Sequence, residues 1–147
     1  MKFFIASKLE NETRVGELAQ ILKSWGLKQT HDWTEHGNVR GQGEKAMRFV
    51  AVKEACGVLD AQLVIVLLPG EKGTHTELGM AIASGKTVII HSESLADFDL
   101  DETKPCSFYW LPGIYRVCSP FSELPAFLQD WVTFQSCLKR DDRKMVG

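Results

Sequence analysis

The chain has 147 residues, enough for one domain with a full hydrophobic core that needs no disulfide or metal staples. An apolar fraction of 44%, a charged fraction of 24% and a formal net charge of -2 fit a soluble globular protein and carry no polyanion-binding signature, so polymeric nucleic acid is not an expected partner. The opening Met1-Lys2-Phe3-Phe4-Ile5-Ala6-Ser7 is too short for the apolar part of a signal peptide, and no stretch reaches membrane-spanning length, so no membrane association is expected. Cys56, Cys106, Cys118 and Cys137 form neither a Cys-x-x-Cys pair nor a Cys/His metal spacing. They read as reduced thiols, mostly in or near the core of a cytoplasmic protein, with no metal and no cofactor expected.

In chain order, residues 2–6 are a short apolar first strand ending at Ser7. Residues 11–25 place Val15, Leu18, Ile21, Leu22 and Trp25 at helical spacing, with Gly26 as the stop. A weaker strand is expected over 27–33, ending at Asp32 and Trp33, and then a polar, glycine-bearing loop from Thr34 to Gly43. Loops of that length in a compact unit are often functional. Glu44 to Leu59 reads as a second helix with Met47, Val50, Ala51, Ala55, Val58 and Leu59 on one side. The unbroken run Leu63-Val64-Ile65-Val66-Leu67-Leu68 suits a strand buried on both faces. It leads through the turn beginning Pro69-Gly70 into a short helix over Leu78–Ser84, stopped at Gly85.

Thr87-Val88-Ile89-Ile90-His91 is a further buried strand, and an acidic loop follows from Ser92 to Lys104. Either Ser107–Leu111 or Ile114–Val117 supplies the fifth strand. Leu124, Phe127, Leu128, Trp131, Phe134 and Leu138 mark a final amphipathic helix, so the domain spans residues 1–138 and residues 139–147 read as a charged, frayed C-terminal tail. Strands alternating with helices predict an α/β fold: a doubly wound, five-stranded parallel sheet of flavodoxin/Rossmann-like type in the order 2-1-3-4-5. In that order the ligand crevice opens at the carboxyl ends of strands one and three, which gathers Ser7 and the Pro69-to-Thr74 turn at one rim with Asp32, Trp33, His91 and Ser92.

The turn Pro69–Gly79 organises this rim. A glycine-containing strand-to-helix turn brings backbone N–H groups and the positive end of a helix dipole to one place. Glu77 is expected in the first helical turn, kept ionised by that dipole. Thr74-x-x-Glu77 also has the spacing of a capping box, and spacing does not choose between cap and catalyst. Glu71 and Glu54 join Glu77 as candidate catalytic carboxylates, since paired carboxylates suit chemistry at an anomeric carbon. Trp33 is a candidate platform for a nucleobase. Ser7, Asp32, Gly73, Thr74 and His75 are further candidate substrate contacts, with Lys8, Arg14 and Arg40 as cations for a phosphate. The ordinary alternatives are a rim hydrophobe for Trp33, a solvated turn for Glu71, a surface helix for Glu54, a strand end for Ser7 and a bystander for His75.

Phe4-Ile5-Ala6-Ser7, the Glu54 helix, Asp60-Ala61-Gln62-Leu63-Val64-Ile65-Val66 and Gly73-Thr74-x-x-Glu77-Leu78-Gly79-x-Ala81-x-Ala83-x-Gly85-Lys86 together resemble the nucleoside 2-deoxyribosyltransferase family over residues 3–92. The resemblance implies cleavage or transfer at the N-glycosidic bond of a nucleoside or nucleotide through a glutamate nucleophile at Glu77. It places Glu71 where the family addresses the base and Glu54 near another acidic position, both glutamate where aspartate is usual. Phe4 stands where many members carry a tyrosine whose hydroxyl assists the nucleophile. Pro69-Gly70-x-x-Gly73-Thr74-x-x-Glu77 is also similar to the motif of the cytokinin-activating phosphoribohydrolases, with Glu71 replacing a glycine. Two readings compete: a non-catalytic nucleotide-sensing module, and an NAD glycohydrolase like the Toll/interleukin-receptor enzymes. The resemblance further implies a homo-oligomer; the aromatic run Phe108-Tyr109-Trp110 is a candidate contact surface, and core burial explains it as well.

Overall fold

The computed structural model describes residues 1–100 and 106–145, and side chains as far as residue 138. Strands β1 (Lys2–Ala6), β2 (Lys28–Gln29), β3 (Leu63–Leu67), β4 (Thr87–Ser92) and β5 (Ile114–Cys118) form one sheet. Helices α1 (Glu12–Ser24), α2 (Glu44–Asp60), α3 (Lys72–Ala83) and α4 (Leu124–Met145) cover both of its faces. Every strand pairing is parallel and the order is β2-β1-β3-β4-β5, as the alternation of elements predicts. The central strand β3 is buried along its whole length, in register with Phe3–Ala6 on one side and Thr87–His91 on the other. Phe3, Phe4, Ile5, Leu63, Ile65, Ile89 and Ile90 are among the sheet's fully buried side chains, each adding roughly 1.5–3 kcal/mol by leaving water.

Several elements differ from the sequence expectation for identifiable reasons. The second strand pairs only at Lys28 and Gln29. Beyond them Asp32 accepts from the Thr34 N–H (3.1 Å) and hydroxyl (2.6 Å), which turns the chain into a 3-10 segment, Trp33–Glu35, instead of extending the strand. Helix α3 begins at Lys72 and not near Leu78, so Glu77 is its sixth residue and lies beyond the first turn. The fifth strand is Ile114–Cys118, while Ser107–Trp110 is a 3-10 turn with Tyr109 buried and Phe108 exposed. On α4 the buried line is Leu124 and Leu128, with Phe127, Phe134 and Leu138 exposed beside it. The backbone from residue 139 continues this helix to Met145. Cys56, Cys118 and Cys137 are exposed, because they lie on the outer sides of α2 and α4 and on the edge strand β5, while Cys106 is half-buried and packs against the core. Among the described residues no helix is long and apolar enough to cross a membrane.

Helix α2 is rotated from its expected setting. Its inward line runs through Val50, Glu54, Gly57 and Val58, and Met47, Ala51 and Leu59 are exposed. Gly57 sets this rotation, since a Cβ there would lie 2.7 Å from the His31 Cβ and 3.0 Å from the Phe4 ring. Gly79 is the contrast, with nothing within 4 Å of an added Cβ. Both glycines lie inside helices, so alanine brings each the same propensity gain of about 1 kcal/mol. Only at Gly57 is that gain opposed by an overpacking cost of about 1–3 kcal/mol. Urea denaturation is therefore expected to show Gly79→Ala more stable than the wild type, and Gly57→Ala less stable than Gly79→Ala by at least about 1 kcal/mol.

Candidate active site

Helix α3 buries Thr74, Glu77, Leu78 and Ala81, the i, i+3, i+4, i+7 stripe that a surface helix turns toward its core. A carboxyl therefore occupies a position where pattern calls for an apolar side chain. Glu77 is only 6% exposed. Glu54 lies on the corresponding inward line of α2, and α2 packs against α3, so two helices direct one carboxyl each into the same space.

That space is a cleft of about 260 Å³ at the carboxyl ends of β1 and β3, the rim the strand order predicts. Ser7, Trp33, Glu54, Glu71, Gly73, Thr74 and Glu77 all line it, so seven of the nine residues singled out in the sequence come together. The Trp33 indole N–H donates to the Ile5 carbonyl (2.8 Å), which fixes the ring as a wall of the cleft. Ser7 ties β1 to β3 by donating to the Leu67 carbonyl (2.8 Å) and accepts from Asn11 (2.9 Å). The Thr74 hydroxyl accepts from the Glu71 N–H (3.2 Å), so the cap at the start of α3 joins Thr74 to Glu71. The expected Thr74–Glu77 cap does not form, and the Glu77 carboxyl is left to face the cleft. Glu71 is half exposed at the mouth, with Arg40 3.5 Å away.

Two candidates lie elsewhere. Asp32 caps the 3-10 turn that carries Trp33 and shapes the wall without lining it. His75 sits outside the cleft, its Nδ1 donating to the Glu71 carbonyl (2.8 Å) and its Nε2 accepting from the Tyr109 hydroxyl (2.8 Å). Of the rim residues, His91 and Ser92 are buried and do not line the cleft. Lys8 and Arg40 do line it, while Arg14 pairs with Glu93. Sequence reasoning missed His36, Gly37, Asn38 and Val39, which form the opposite wall. Their one signal was the long polar loop from Thr34 to Gly43.

The helix dipole does not keep Glu77 ionised. Burial first, and the charge of Glu54 second, push its carboxyl up to about 9. Burial also raises Glu54, opposed by His36, whose Nε2 stands 3.8 Å from the Glu54 Oε1. Glu77 therefore holds its proton at neutral pH, and two carboxyls with environments this different are of the kind that separates an acid from a base.

No family model matches the chain, and no curated protein matches it in sequence. Among solved structures it is similar to a CMP N-glycosidase from Clostridium botulinum, with a TM-score of 0.60 and 16% identity over 88% of this chain and 99% of that one. It is also similar to a 2-deoxyribosyltransferase from the psychrotolerant bacterium Bacillus psychrosaccharolyticus, with a TM-score of 0.63 and 16% identity over 85% of this chain and 90% of that one. The chain is therefore a five-stranded doubly wound α/β protein. More particularly, it has the fold shared by a nucleoside 2-deoxyribosyltransferase and a nucleotide N-glycosidase.

The raised carboxyl has a measurable cost. A group whose pKa rises from 4.5 unfolded to about 9 folded contributes stability that is complete below 4.5 and is lost as pH climbs toward 9. Glu77→Gln removes this dependence. It is expected to melt higher than the wild type, by roughly 2–4 °C for each kcal/mol relieved, with a difference that is small at pH 5 and widens toward pH 9 in calorimetric scans.

Proposed function

We propose that this protein is a transferase or hydrolase of the N-glycosidic bond of a nucleoside or nucleotide, with Glu77 as the nucleophile. One observation carries the reading: a buried carboxyl on the core-facing stripe of α3, coupled to a second carboxyl in a cleft walled by an aromatic ring. The fold shared with a CMP N-glycosidase and a 2-deoxyribosyltransferase supports the same bond.

In this mechanism a Glu77 oxygen bonds to the sugar C1 carbon as the C1–N bond breaks. The electron pair leaves with the base nitrogen, and Glu54 in its acid form gives the base a proton. A glycosyl ester on Glu77 and a Glu54 carboxylate remain. Water, or a second base, then attacks C1, Glu54 takes the incoming proton, and Glu77 is released as a carboxylate. Trp33 offers a face for the base, Glu71 at the mouth addresses its polar edge, and Gly73 leaves open room beside the sugar because nothing fills the place of its Cβ.

A second reading, a nucleotide-binding module without turnover, is favoured by Phe4. Its ring is fully buried beneath α2 and offers no hydroxyl to assist Glu77. Chromatography of ribo- and deoxyribonucleosides, their monophosphates and NAD, with and without an acceptor base, separates the two. The expected outcome is free base from one substrate class, reduced at least about 10³-fold by Glu77→Gln. Undiminished release by that variant overturns the role of Glu77, tight binding without release selects the module, and nicotinamide release selects an NAD glycohydrolase.

A further inference from the structure

The His36 side chain is a polar group of the cleft that the mechanism above leaves unused. Its Nδ1 lies 3.0 Å from the Gly37 carbonyl, and a carbonyl only accepts, so Nδ1 carries the ring proton. In the neutral ring Nε2 is then a bare lone pair. That atom is buried and has no hydrogen-bond partner, an arrangement that ordinarily has a reason. The Glu54 Oε1 lies 3.8 Å from Nε2, about 1 Å beyond a hydrogen bond, and such contacts commonly tighten when a substrate fills the site.

We propose that His36 is a positioning residue for the two carboxyls: when a substrate fills the cleft, its Nε2 lone pair accepts from Glu54 in the acid form and so draws the proton of the Glu77 carboxyl to Glu54. This rests on the glycosyl-transfer reading above. One proton leaves the Glu77 carboxyl and bonds to a Glu54 oxygen, whose O–H points at Nε2, and the negative charge stays on Glu77. Glu77 becomes the nucleophile and Glu54 the acid that the departing base needs. As negative charge grows on the base, the Glu54 hydroxyl turns from the imidazole to that stronger acceptor.

Protonation of His36 reverses the arrangement. Nε2 then donates, Glu54 is held as a carboxylate, and the proton returns to Glu77, which can no longer attack. Charged and titratable groups surround His36 on several sides. His31 stacks on it at 5.6 Å between ring centroids, and burial first, then His36, lower the His31 pKa, so the neighbouring ring does not add a second cation. Glu54 faces it from α2, while Asp32 and Glu35 on the turn and Lys53 on α2 act on His31 beside it. Arg40, farther along the loop, is turned to Glu71 at the start of α3.

Two readouts test this in the full chain. The first is carboxyl-carbon NMR of glutamate-labelled protein saturated with a nucleoside monophosphate that it binds without cleaving. With His36→Phe, the Glu54 resonance is expected to move toward the carboxylate position and the Glu77 resonance toward the acid position at neutral pH. Unmoved resonances overturn the proposal whether or not the protein releases base. The second is the pH profile of base release. His36→Phe is expected to lose about 10–100-fold in kcat with KM little changed, and to lack the acid limb that His36 protonation imposes. His36→Gln, whose amide oxygen still reaches Glu54, recovers part of the rate without that limb. A wild-type profile and rate in His36→Phe contradict the proposal. If the phenylalanine variant does not fold, His36→Asn, whose amide is too short to reach Glu54, replaces it in both measurements. Silence of the wild type toward every nucleoside and nucleotide defeats the glycosyl-transfer reading, and the carboxyl resonances then decide the role of His36 by themselves.

Discussion

A single buried carboxyl governs the arrangement of this molecule. Glu77 lies where α3 meets the interior, and an ionised carboxylate there loses its hydration with no cation beside it among the described residues. The local response is a retained proton. Glu54, also desolvated, faces the same cleft from α2, and its charge adds to the cost of ionising Glu77. Everything else at the rim is consistent with holding that pair in place: Ser7 locks the ends of β1 and β3 together, Trp33 closes one side through its bond to Ile5, and Thr74 caps α3 so that Glu77 need not.

The rotation of α2 belongs to the same arrangement. Gly57 permits the helix to lie against Phe4 and His31, and this contact puts Glu54, rather than Ala51 or Leu59, on the inward line. A backbone feature outside the cleft thereby decides which carboxyl meets Glu77. A carboxyl on the core-facing stripe of α3 is a local rule broken, and such breaks are where functional sites are expected.

Much of the fold was legible because its signals are large. The apolar run of β3, the alternation of strand and helix and the glycine stops lead directly to the observed sheet order, and the order locates the crevice. Glu77, Glu71 and Glu54 were legible through motif and spacing. Other features were decided by tertiary contacts that leave little trace in sequence. The edge strand β2 shortened to two residues because Asp32 found a closer partner in Thr34. The start of α3 shifted because Thr74 caps toward Glu71 instead of Glu77. His36 was invisible as a cleft residue because a loop has no periodicity to say which way its side chains face. His75, inside the motif, was placed on the wrong side of α3, where it joins Tyr109.

The measurement that bears most directly on the role of Glu77 is mass spectrometry of protein quenched in acid while it processes a nucleoside or nucleotide, followed by peptide mapping. The expected result is a mass gain of one glycosyl unit on the peptide that contains Glu77, absent from Glu77→Gln. A glycosyl adduct on a different residue, or steady product formation with no adduct on any peptide under conditions that slow the second step, would contradict that role.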